Sequence, residues 1–381
     1  MSDNNTKVDI PTIAGLSIKP NLVPGTIVTS RDESTESGVY AGSDGGEFTD
    51  AAAGNGTTGN NYGTQAAGGG DPPRCVLEDF VPCRESHLWK LMMSFYDRKG
   101  PDSWSQGIVP HFITCNTFIG RSYAKVLHGF IQDCLAPNAK MPLDTNEPLY
   151  IIELGAGSGK FSFFMLKALE ELQAISEFPL RKIVYVMTDF TEANFKFWRS
   201  QPSLAPYFDR GLLDAAIFDA VEDTQITLWR SGTVLSTNSV KNPICIVANY
   251  LFDTLYHDIF QVQDGVLKEG LISVGSKAES EPDPLEPSII QRLENHYKYN
   301  VIDADYYKEE GGDEATLRRV LGWYQSYFSK ESHPTGASLL IPIGTLRALR
   351  RLGNFSNGRG MCVLHVRCIQ CASYNICLLF I

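Results

Sequence analysis

The chain has 381 residues, of which 43% are hydrophobic and 11% aromatic, so it can bury the core of one large domain or of two small ones. Its net charge of −11 at pH 7 argues against unspecific binding to nucleic acid. No stretch is long and apolar enough to span a membrane, and the N-terminus shows neither a signal peptide nor an Arg-rich transit pattern. These features predict a cytoplasmic location, with the nucleus as the alternative.

Residues 1–73 are rich in Gly, Asn, Thr, Ser and Asp and carry no sustained apolar period. A segment of this composition buries too little apolar surface to offset the entropy of ordering its backbone. It is predicted to be a disordered low-complexity region, and we assign it no chemistry.

Residues 74–146 are predicted to form a helical N-terminal lid or extension. Apolar residues recur at helical spacing from Leu88 to Tyr96 and again from Ile119 to Phe130. Between them, residues 107–116 have the composition of a loop, with polar groups on an aromatic background. This loop is either a surface connection or a lid over a ligand.

The clearest local signal is a glycine-rich turn, in which an apolar run reaches Glu153 and continues as Gly155-Ala156-Gly157-Ser158-Gly159. The run before the turn predicts a buried strand, and the apolar period of residues 161–172 predicts a helix after it. Glycine suits such a turn because it accepts positive φ and lets a ligand approach the backbone. The pattern is typical of a nucleotide-binding loop beside a helix N-terminus.

The spacing of the turn bears on which nucleotide it would bind. A phosphate-binding Walker loop is excluded, because Leu154 stands where that loop needs its first glycine and Phe161 replaces the required Ser or Thr. The dinucleotide fingerprint is disfavoured, because the third glycine comes one position early, at Gly159.

Strand-like and helix-like segments alternate after the turn. Buried strands are predicted at residues 182–189, 212–219, 243–249 and 337–343, and a helix at residues 317–328. This rhythm predicts an α/β fold with a Rossmann-like, doubly wound, mostly parallel sheet over residues 147–355. In such sheets the ligand binds beyond the carboxyl ends of the strands.

Two of the predicted strands end in a carboxylate. Asp189 can accept hydrogen bonds from both hydroxyl groups of a ribose, or it can cap a helix predicted at residues 191–198. Asp219 can accept a hydrogen bond from the exocyclic amine of adenine, or it can be a plain turn residue.

The strand at residues 243–249 ends in Asn249, an amide that is unusual after a buried apolar run and therefore calls for a partner. If the chain continues as a helix, the i and i+4 positions place Asp253 and His257 on one helical face. They form either a local capped pair or a catalytic base polarised by a carboxylate. Asn249, Asp253 and His257 are the catalytic candidates. No metal site is predicted, because the domain has no HExxH or paired Cys/His motif.

With Glu153 two residues before its first glycine, the turn resembles motif I of the class I S-adenosylmethionine-dependent methyltransferases. Residues 88–270 resemble more particularly the MidA-like group, through this turn, the block at residues 248–255 with Phe260, and rough counterparts of residues 112–114 and 118–120. One mitochondrial member of that group is a protein-arginine methyltransferase acting in complex I assembly, so the resemblance implies a protein as one candidate acceptor.

The resemblance also implies S-adenosyl-L-methionine as the cofactor. It assigns Asn249 and Asp253 to the acceptor side. The residues implied to bind the cofactor are Glu153, Gly155, Ala156, Gly157, Gly159, Asp189 and Asp219.

The C-terminal end departs from this pattern. Residues 356–381 form an atypical, apolar tail that contains four of the nine cysteines, in spacings that match no standard zinc knuckle. We expect this tail to leave the sheet incomplete at its C-terminal edge. The other five cysteines lie singly among globular patterns, which is typical of reduced thiols.

The sequence therefore favours an S-adenosylmethionine-dependent methyltransferase whose acceptor is a protein side chain or a small molecule. An NAD(P)-dependent oxidoreductase and a scaffold that keeps the fold without turnover are the alternatives. No nucleic-acid surface or membrane partner is indicated, and the oligomeric state stays open.

Overall fold

The computed structural model describes residues 74–109, 111–112, 115–175, 179–303, 305–307, 314–328, 336–367 and 374–380. The expected disorder of residues 1–73 lies outside the described residues.

Eight α-helices lie in this part of the chain. In chain order they are α1 (His87–Lys99), α2 (Asp102–Ser105), α3 (Thr117–Leu135), α4 (Lys160–Leu172), α5 (Glu192–Ser200), α6 (Ala205–Asp209), α7 (Glu314–Tyr327) and α8 (Ile343–Phe355). The helices predicted at residues 161–172, 191–198 and 317–328, and both helices of the N-terminal extension, are confirmed.

The strands of the described residues are β1 (Cys75–Pro82), β2 (Leu149–Leu154), β3 (Ile183–Asp189), β4 (Leu213–Ile217), β5 (Ile226–Thr227), β6 (Val234–Leu235), β7 (Ile244–Asn249), β8 (Asp258–Gln263), β9 (Val266–Ser276), β10 (His296–Val301), β11 (Ala337–Ile341), β12 (Gly360–Arg367) and β13 (Tyr374–Phe380). The extension at residues 74–146 is therefore not purely helical, because it begins with a strand.

The central sheet has the strand order β13-β12-β7-β2-β3-β4. Its neighbours pair in parallel from β12 to β4, and β13 alone is antiparallel, on the outer edge of β12. The chain builds outward from β2 through β3 to β4 and then crosses to the other side of β2 to form β7. The topological switch point therefore lies between β2 and β7, and the mostly parallel, doubly wound sheet is confirmed.

Apolar layers cover both faces of this sheet. Side chains at alternate positions of the strands, such as Ile151 and Tyr185, pack against α3, α4 and the segment around Trp198. The intervening positions, such as Ile152 and Ile246, pack against α8 and the segment that carries β5 and β6. Buried on both faces, these strands are the near-continuous apolar runs that made them recognisable in the sequence.

A second, antiparallel sheet contains β1, β9, β8 and β11, with β10 also paired to β9. Its core around Phe260 and Leu267 packs against Leu317 and Leu321 of α7. The strand expected at residues 337–343 is real, but its place in the parallel sheet was wrong, because β11 pairs antiparallel with β8.

The C-terminal tail continues the central sheet. Gly360 to His365 pair in parallel with β7, and residues 374–380 return antiparallel along β12. The expected incomplete edge was therefore wrong, because tail residues supply two strands. Two of the four cysteines of the tail, Cys368 and Cys371, lie outside the described residues. None of the described helices combines the length and the apolarity that a membrane crossing requires.

Candidate functional site

A cavity of about 160 Å³ opens at the carboxyl ends of β2, β3, β4 and β7, around the switch point of the central sheet. Its floor consists of the glycine turn and the strand ends, and its cover comes from α1, α2 and the loop that follows α2. The predicted site residues in its wall are Glu153, Gly155, Ala156, Gly157, Asp189, Asp219 and Asn249.

The glycine turn is held in place from the β3 side. Gly155 and Gly157 have φ of 63° and 53°, in the left-handed region that favours glycine. The Gly157 N–H donates to Asp189 Oδ2 at 3.1 Å, and the indole N–H of Trp198 donates to the Gly157 carbonyl at 2.7 Å. The turn is therefore preorganised, because the N–H and the carbonyl group of Gly157 are both bonded to side chains at or beyond the end of β3.

Gly159 has a different role from the other two glycines. It is the N-cap residue of α4, and a Cβ at this position would lie 2.6 Å from Met187 Cε. It does not belong to the cavity wall as the structure describes it. Its place indicates close packing of α4 on β3, and its predicted contact with a cofactor stays a prediction.

Glu153 is almost fully buried, with 3% of its surface exposed. Its Oε2 accepts hydrogen bonds from the hydroxyl groups of Ser162 and Tyr185, at 2.5 and 2.8 Å. Burial raises the pKa of this carboxyl group from 4.5 to about 7, against the lowering effect of the two hydrogen bonds. Glu153 is therefore a carboxyl group that can change its charge near neutral pH.

Asp189 ends β3 and lies beneath the turn with 6% of its surface exposed. Its Oδ1 accepts from the backbone N–H and the hydroxyl group of Thr191, and its Oδ2 accepts from the Asn194 amide and the Gly157 N–H, all at 3.0–3.1 Å. Burial raises its pKa, although these four hydrogen bonds act in the opposite direction. The expected capping role at α5 was wrong, because Thr191 is the N-cap residue of that helix.

Asp219 lies two residues beyond β4 and has the turn role that the sequence allowed, whereas its contact with adenine stays a prediction. Its Oδ1 accepts from the backbone N–H groups of Val221 and Glu222, at 2.8 and 3.1 Å, which fixes a turn. Asp219 also belongs to the cavity wall. Within the described residues, its Oδ2 has no hydrogen-bond partner.

The three catalytic candidates are not brought together at the described cavity wall. Residues 252–254 form a turn and β8 starts at Asp258, so the expected helical face with Asp253 and His257 was wrong. Asn249 is part of the described cavity wall, whereas Asp253 and His257 are not.

His257 is turned toward other parts of the protein. Its Nδ1 lies 2.5 Å from the Leu255 carbonyl oxygen, and its ring stacks on Trp89 at 5.9 Å. Burial lowers its pKa, although the Leu255 carbonyl and two nearby carboxylates act in the opposite direction. The histidine of the cavity wall is instead His111, whose buried Nδ1 has no partner in the described part of the chain.

The cover of the cavity was only partly foreseen. The loop expected to be either a connection or a lid contributes Val109, His111 and Cys115 to the wall, which supports the lid interpretation. Trp104 and Tyr96 were missed, although their rings stack at 5.8 Å and a Cβ on Gly157 would lie 2.7 Å from Trp104 Cζ2. The aromatic content of this segment was the available signal, but it does not reveal which ring reaches the turn.

Tyr250 is a second missed residue of the wall. Its φ of 51° is unusual for a residue with a side chain and marks local strain at the point where β7 leaves the sheet. Strained backbone of this kind is concentrated at functional sites.

A parallel sheet of this order, with a glycine turn at its switch point and carboxylates at the neighbouring strand ends, defines a Rossmann-like fold of the class I methyltransferase type. Residues 137–316 match the model of the family described as "Putative S-adenosyl-L-methionine-dependent methyltransferase". The match contains every predicted site residue, and it confirms the resemblance to these methyltransferases that the sequence indicated.

The solved structures that the chain matches are distant in sequence. An uncharacterized protein from Burkholderia thailandensis is 13% identical with a TM-score of 0.40, over 75% of this chain and 56% of that protein. A second protein from Burkholderia thailandensis, bound to S-adenosyl-homocysteine, is 13% identical with a TM-score of 0.33, over 64% of this chain and 46% of that one.

Loganic acid methyltransferase with S-adenosyl-homocysteine is 12% identical with a TM-score of 0.26, over 66% of this chain and 54% of that enzyme. The chain thus spans about half the length of the solved proteins that it resembles. A comparison with curated proteins gives no significant match.

Proposed function

We propose that this chain is an S-adenosyl-L-methionine-dependent methyltransferase that acts on a protein side chain or a small molecule. The observation that carries the proposal is the charge of the cavity wall. Its described residues include three carboxyl groups, Glu153, Asp189 and Asp219, and neither lysine nor arginine. Such a wall suits a cofactor with a sulfonium and an ammonium group, and it opposes the phosphates of a dinucleotide.

The residues present fit this cofactor in two further ways. The glycine turn belongs to the cavity wall through Gly155 and Gly157, which have no side chain of their own to fill the cavity. The side chain of Asn249 also has a buried amide nitrogen without a hydrogen-bond partner in the described part of the chain. Both features are typical of a site that a ligand completes.

When bound, the cofactor supplies a methyl group that its sulfonium already activates. The chain would contribute binding, alignment and exclusion of water. The turn and the carboxylates would hold the cofactor, whereas Tyr96 and Trp104 of the cover would shield the cavity from solvent. Asn249 would orient a polar group beside the reacting atoms.

Isothermal titration calorimetry of the full chain with S-adenosyl-methionine, S-adenosyl-homocysteine and NAD⁺ tests the proposal. We expect heat from the first two ligands only, and its loss in Gly157→Arg and Asp189→Asn. Gly211→Arg is the matched control for Gly157→Arg, because Gly211 also has a positive φ. Asp214→Asn is the matched control for Asp189→Asn, because Asp214 is also buried and accepts hydrogen bonds from backbone N–H groups. Neither Gly211 nor Asp214 belongs to this cavity wall. No heat from either adenosyl ligand, or heat from NAD⁺ alone, would contradict the proposal.

A scaffold that binds the cofactor without turnover is the second candidate. It is favoured by one observation, that Asp253 and His257 lie outside the described cavity wall and so supply no base there. Transfer of a radiolabelled methyl group to lysate fractions separates the two candidates. Binding heat without labelled product in any fraction would favour the scaffold.

A further inference from the structure

The amide group of Asn249 has one satisfied end and one open end. Its Oδ1 accepts a hydrogen bond of 2.6 Å from the hydroxyl group of Tyr123, whereas its Nδ2 is buried without a partner in the described residues. From this arrangement we infer that Tyr123 is a positioning residue. It turns Asn249 so that the amide NH₂ donates to an oxygen atom of the bound ligand. The inference rests on the proposed function.

Tyr123 is well placed to fix this orientation. It lies on α3 with none of its surface exposed, and its ring packs edge-on against Phe161 with centroids 5.2 Å apart. A phenol that is held on all sides presents its hydroxyl group in one direction only. Tyr123 is not part of the described cavity wall, so it acts through Asn249 and does not touch the ligand itself.

The open end of the amide lies where a ligand would pass. Leu154 pairs with Ala248 in the parallel register of β2 and β7, so Asn249 stands level with Gly155, the first residue of the glycine turn. Both residues belong to the cavity wall. A ligand that follows the turn therefore meets the Asn249 amide at the switch point.

The hydrogen bond from Tyr123 determines the polarity of this contact. With Oδ1 turned toward Tyr123, the unpartnered group that Asn249 offers to a ligand is its NH₂ donor. The complementary ligand atom is a hydrogen-bond acceptor, and a carboxylate or carbonyl oxygen meets this need. Such an oxygen can come from the carboxylate of the cofactor or from the methyl acceptor next to its reacting atom.

The test compares Asn249→Asp, Asn249→Ala and Tyr123→Phe in the full chain. The first measurement is calorimetric binding of S-adenosyl-homocysteine as the probe. The second is transfer of a labelled methyl group to lysate at saturating cofactor. The aspartate cannot donate a hydrogen bond and would repel an oxygen atom. We therefore expect Asn249→Asp to lower the probe affinity or the rate of methyl transfer by at least about tenfold, which is more than Asn249→Ala. Tyr123→Phe should lose less, and adding it to Asn249→Ala should cause no further loss.

The two measurements identify the source of the oxygen. Weaker binding of S-adenosyl-homocysteine assigns it to the cofactor, whereas unchanged binding with slower transfer assigns it to the methyl acceptor. If Asn249→Asp binds the probe and transfers the methyl group as well as the wild type does, the ligand atom is a donor and the inference is overturned.

Tyr207→Phe is the matched control for the loss of a buried hydroxyl group. Tyr207 belongs to the same apolar cluster as Tyr123, and its hydroxyl group donates to Glu170 at 3.0 Å. It should leave both measurements unchanged.

Failure of the proposed function gives a different result, because the wild-type chain then shows no heat with the probe. The pairing of the two side chains is still measured by thermal unfolding. Shifts in Tm that are not additive for Tyr123→Phe and Asn249→Ala support the positioning role, and additive shifts overturn it.

Discussion

Gly157 is the residue at which the geometry of the turn can be tested most directly. Its φ of 53° lies in the left-handed region, so replacement by alanine costs about 1–2 kcal/mol from the backbone alone. The new Cβ would also lie 2.7 Å from Cζ2 and 3.0 Å from Cε2 of Trp104, whose ring stacks on Tyr96. Overpacking of this kind typically costs about 1–3 kcal/mol more. We expect Gly157→Ala to lose roughly 2–5 kcal/mol of unfolding free energy.

Gly211 provides the control for the backbone contribution. Its φ of 72° is also positive, but a Cβ there would meet nothing within 4 Å. Gly211→Ala should therefore lose only the backbone contribution, about 1–2 kcal/mol. Urea unfolding of both variants measures the difference, and calorimetry with S-adenosyl-homocysteine should show weaker binding for Gly157→Ala alone. Equal stability losses in the two variants would refute the contact between the cover and the turn.

Two further predictions concern buried carboxyl groups. Because burial raises the pKa of Glu153 from 4.5 to about 7, its stabilising contribution is fully present below pH 4.5 and is lost as the pH rises through 7. This loss of unfolding free energy amounts to about 3 kcal/mol. In Glu153→Gln, urea unfolding measured across the same pH range should no longer show this loss. Equal dependence of the unfolding free energy on pH in the variant and the wild type would count against the prediction. Asp258→Asn removes the buried carboxylate that lies 2.9 Å from the guanidinium of Arg84. It should cost about 3 kcal/mol, the lower end for breaking a buried pair, because Glu85 stays 3.6 Å from the same guanidinium. The exposed Asp283→Asn is the control and should leave the urea midpoint unchanged, and a similar loss in both variants would show that burial is not the cause.

The parallel sheet was predictable because burial on both faces leaves a local mark on the sequence. The strands β2, β3 and β7 are short apolar runs with a polar residue at or next to their last position, and their parallel pairing follows from the alternation with helices. The glycine turn was visible for the same reason. Its backbone conformation restricts the residues that can occupy it.

The second sheet was not predictable from local patterns. The segment after Asn249 places Asp253 and His257 at helical spacing, yet the chain turns there and Asp258 opens β8. The carboxylate of Asp258 is buried by a pairing with Arg84, 174 positions earlier in the chain. A partner so distant in sequence determines the local structure without leaving a periodic signal near the strand.

The cover of the site was hidden for a related reason. The helical period of α1 predicts a helix but does not say which of its faces meets the turn. Trp104 reaches Gly157 across 53 positions of sequence, through an arrangement of α2 that only tertiary packing specifies.

The hydrogen bonds that each site carboxylate already accepts within the protein determine whether it can also contact a cofactor. A carboxylate has about four lone-pair positions. Asp189 uses four of them within the protein, since it accepts from Gly157, from Asn194 and twice from Thr191. Contact with ribose hydroxyl groups would therefore have to displace a bond that shapes the turn. Asp189 can serve cofactor binding indirectly, because its hydrogen bond holds Gly157 in position.

The other two carboxyl groups keep an oxygen free of hydrogen bonds within the described residues. Glu153 receives both of its hydrogen bonds on Oε2, and Asp219 receives both of its backbone bonds on Oδ1. Both residues belong to the cavity wall. These free oxygens, together with the open amide of Asn249, are the positions at which the protein can exchange hydrogen bonds with a ligand without losing its own structure. Direct recognition is therefore concentrated at the ends of β2, β4 and β7, whereas the end of β3 holds the turn in shape.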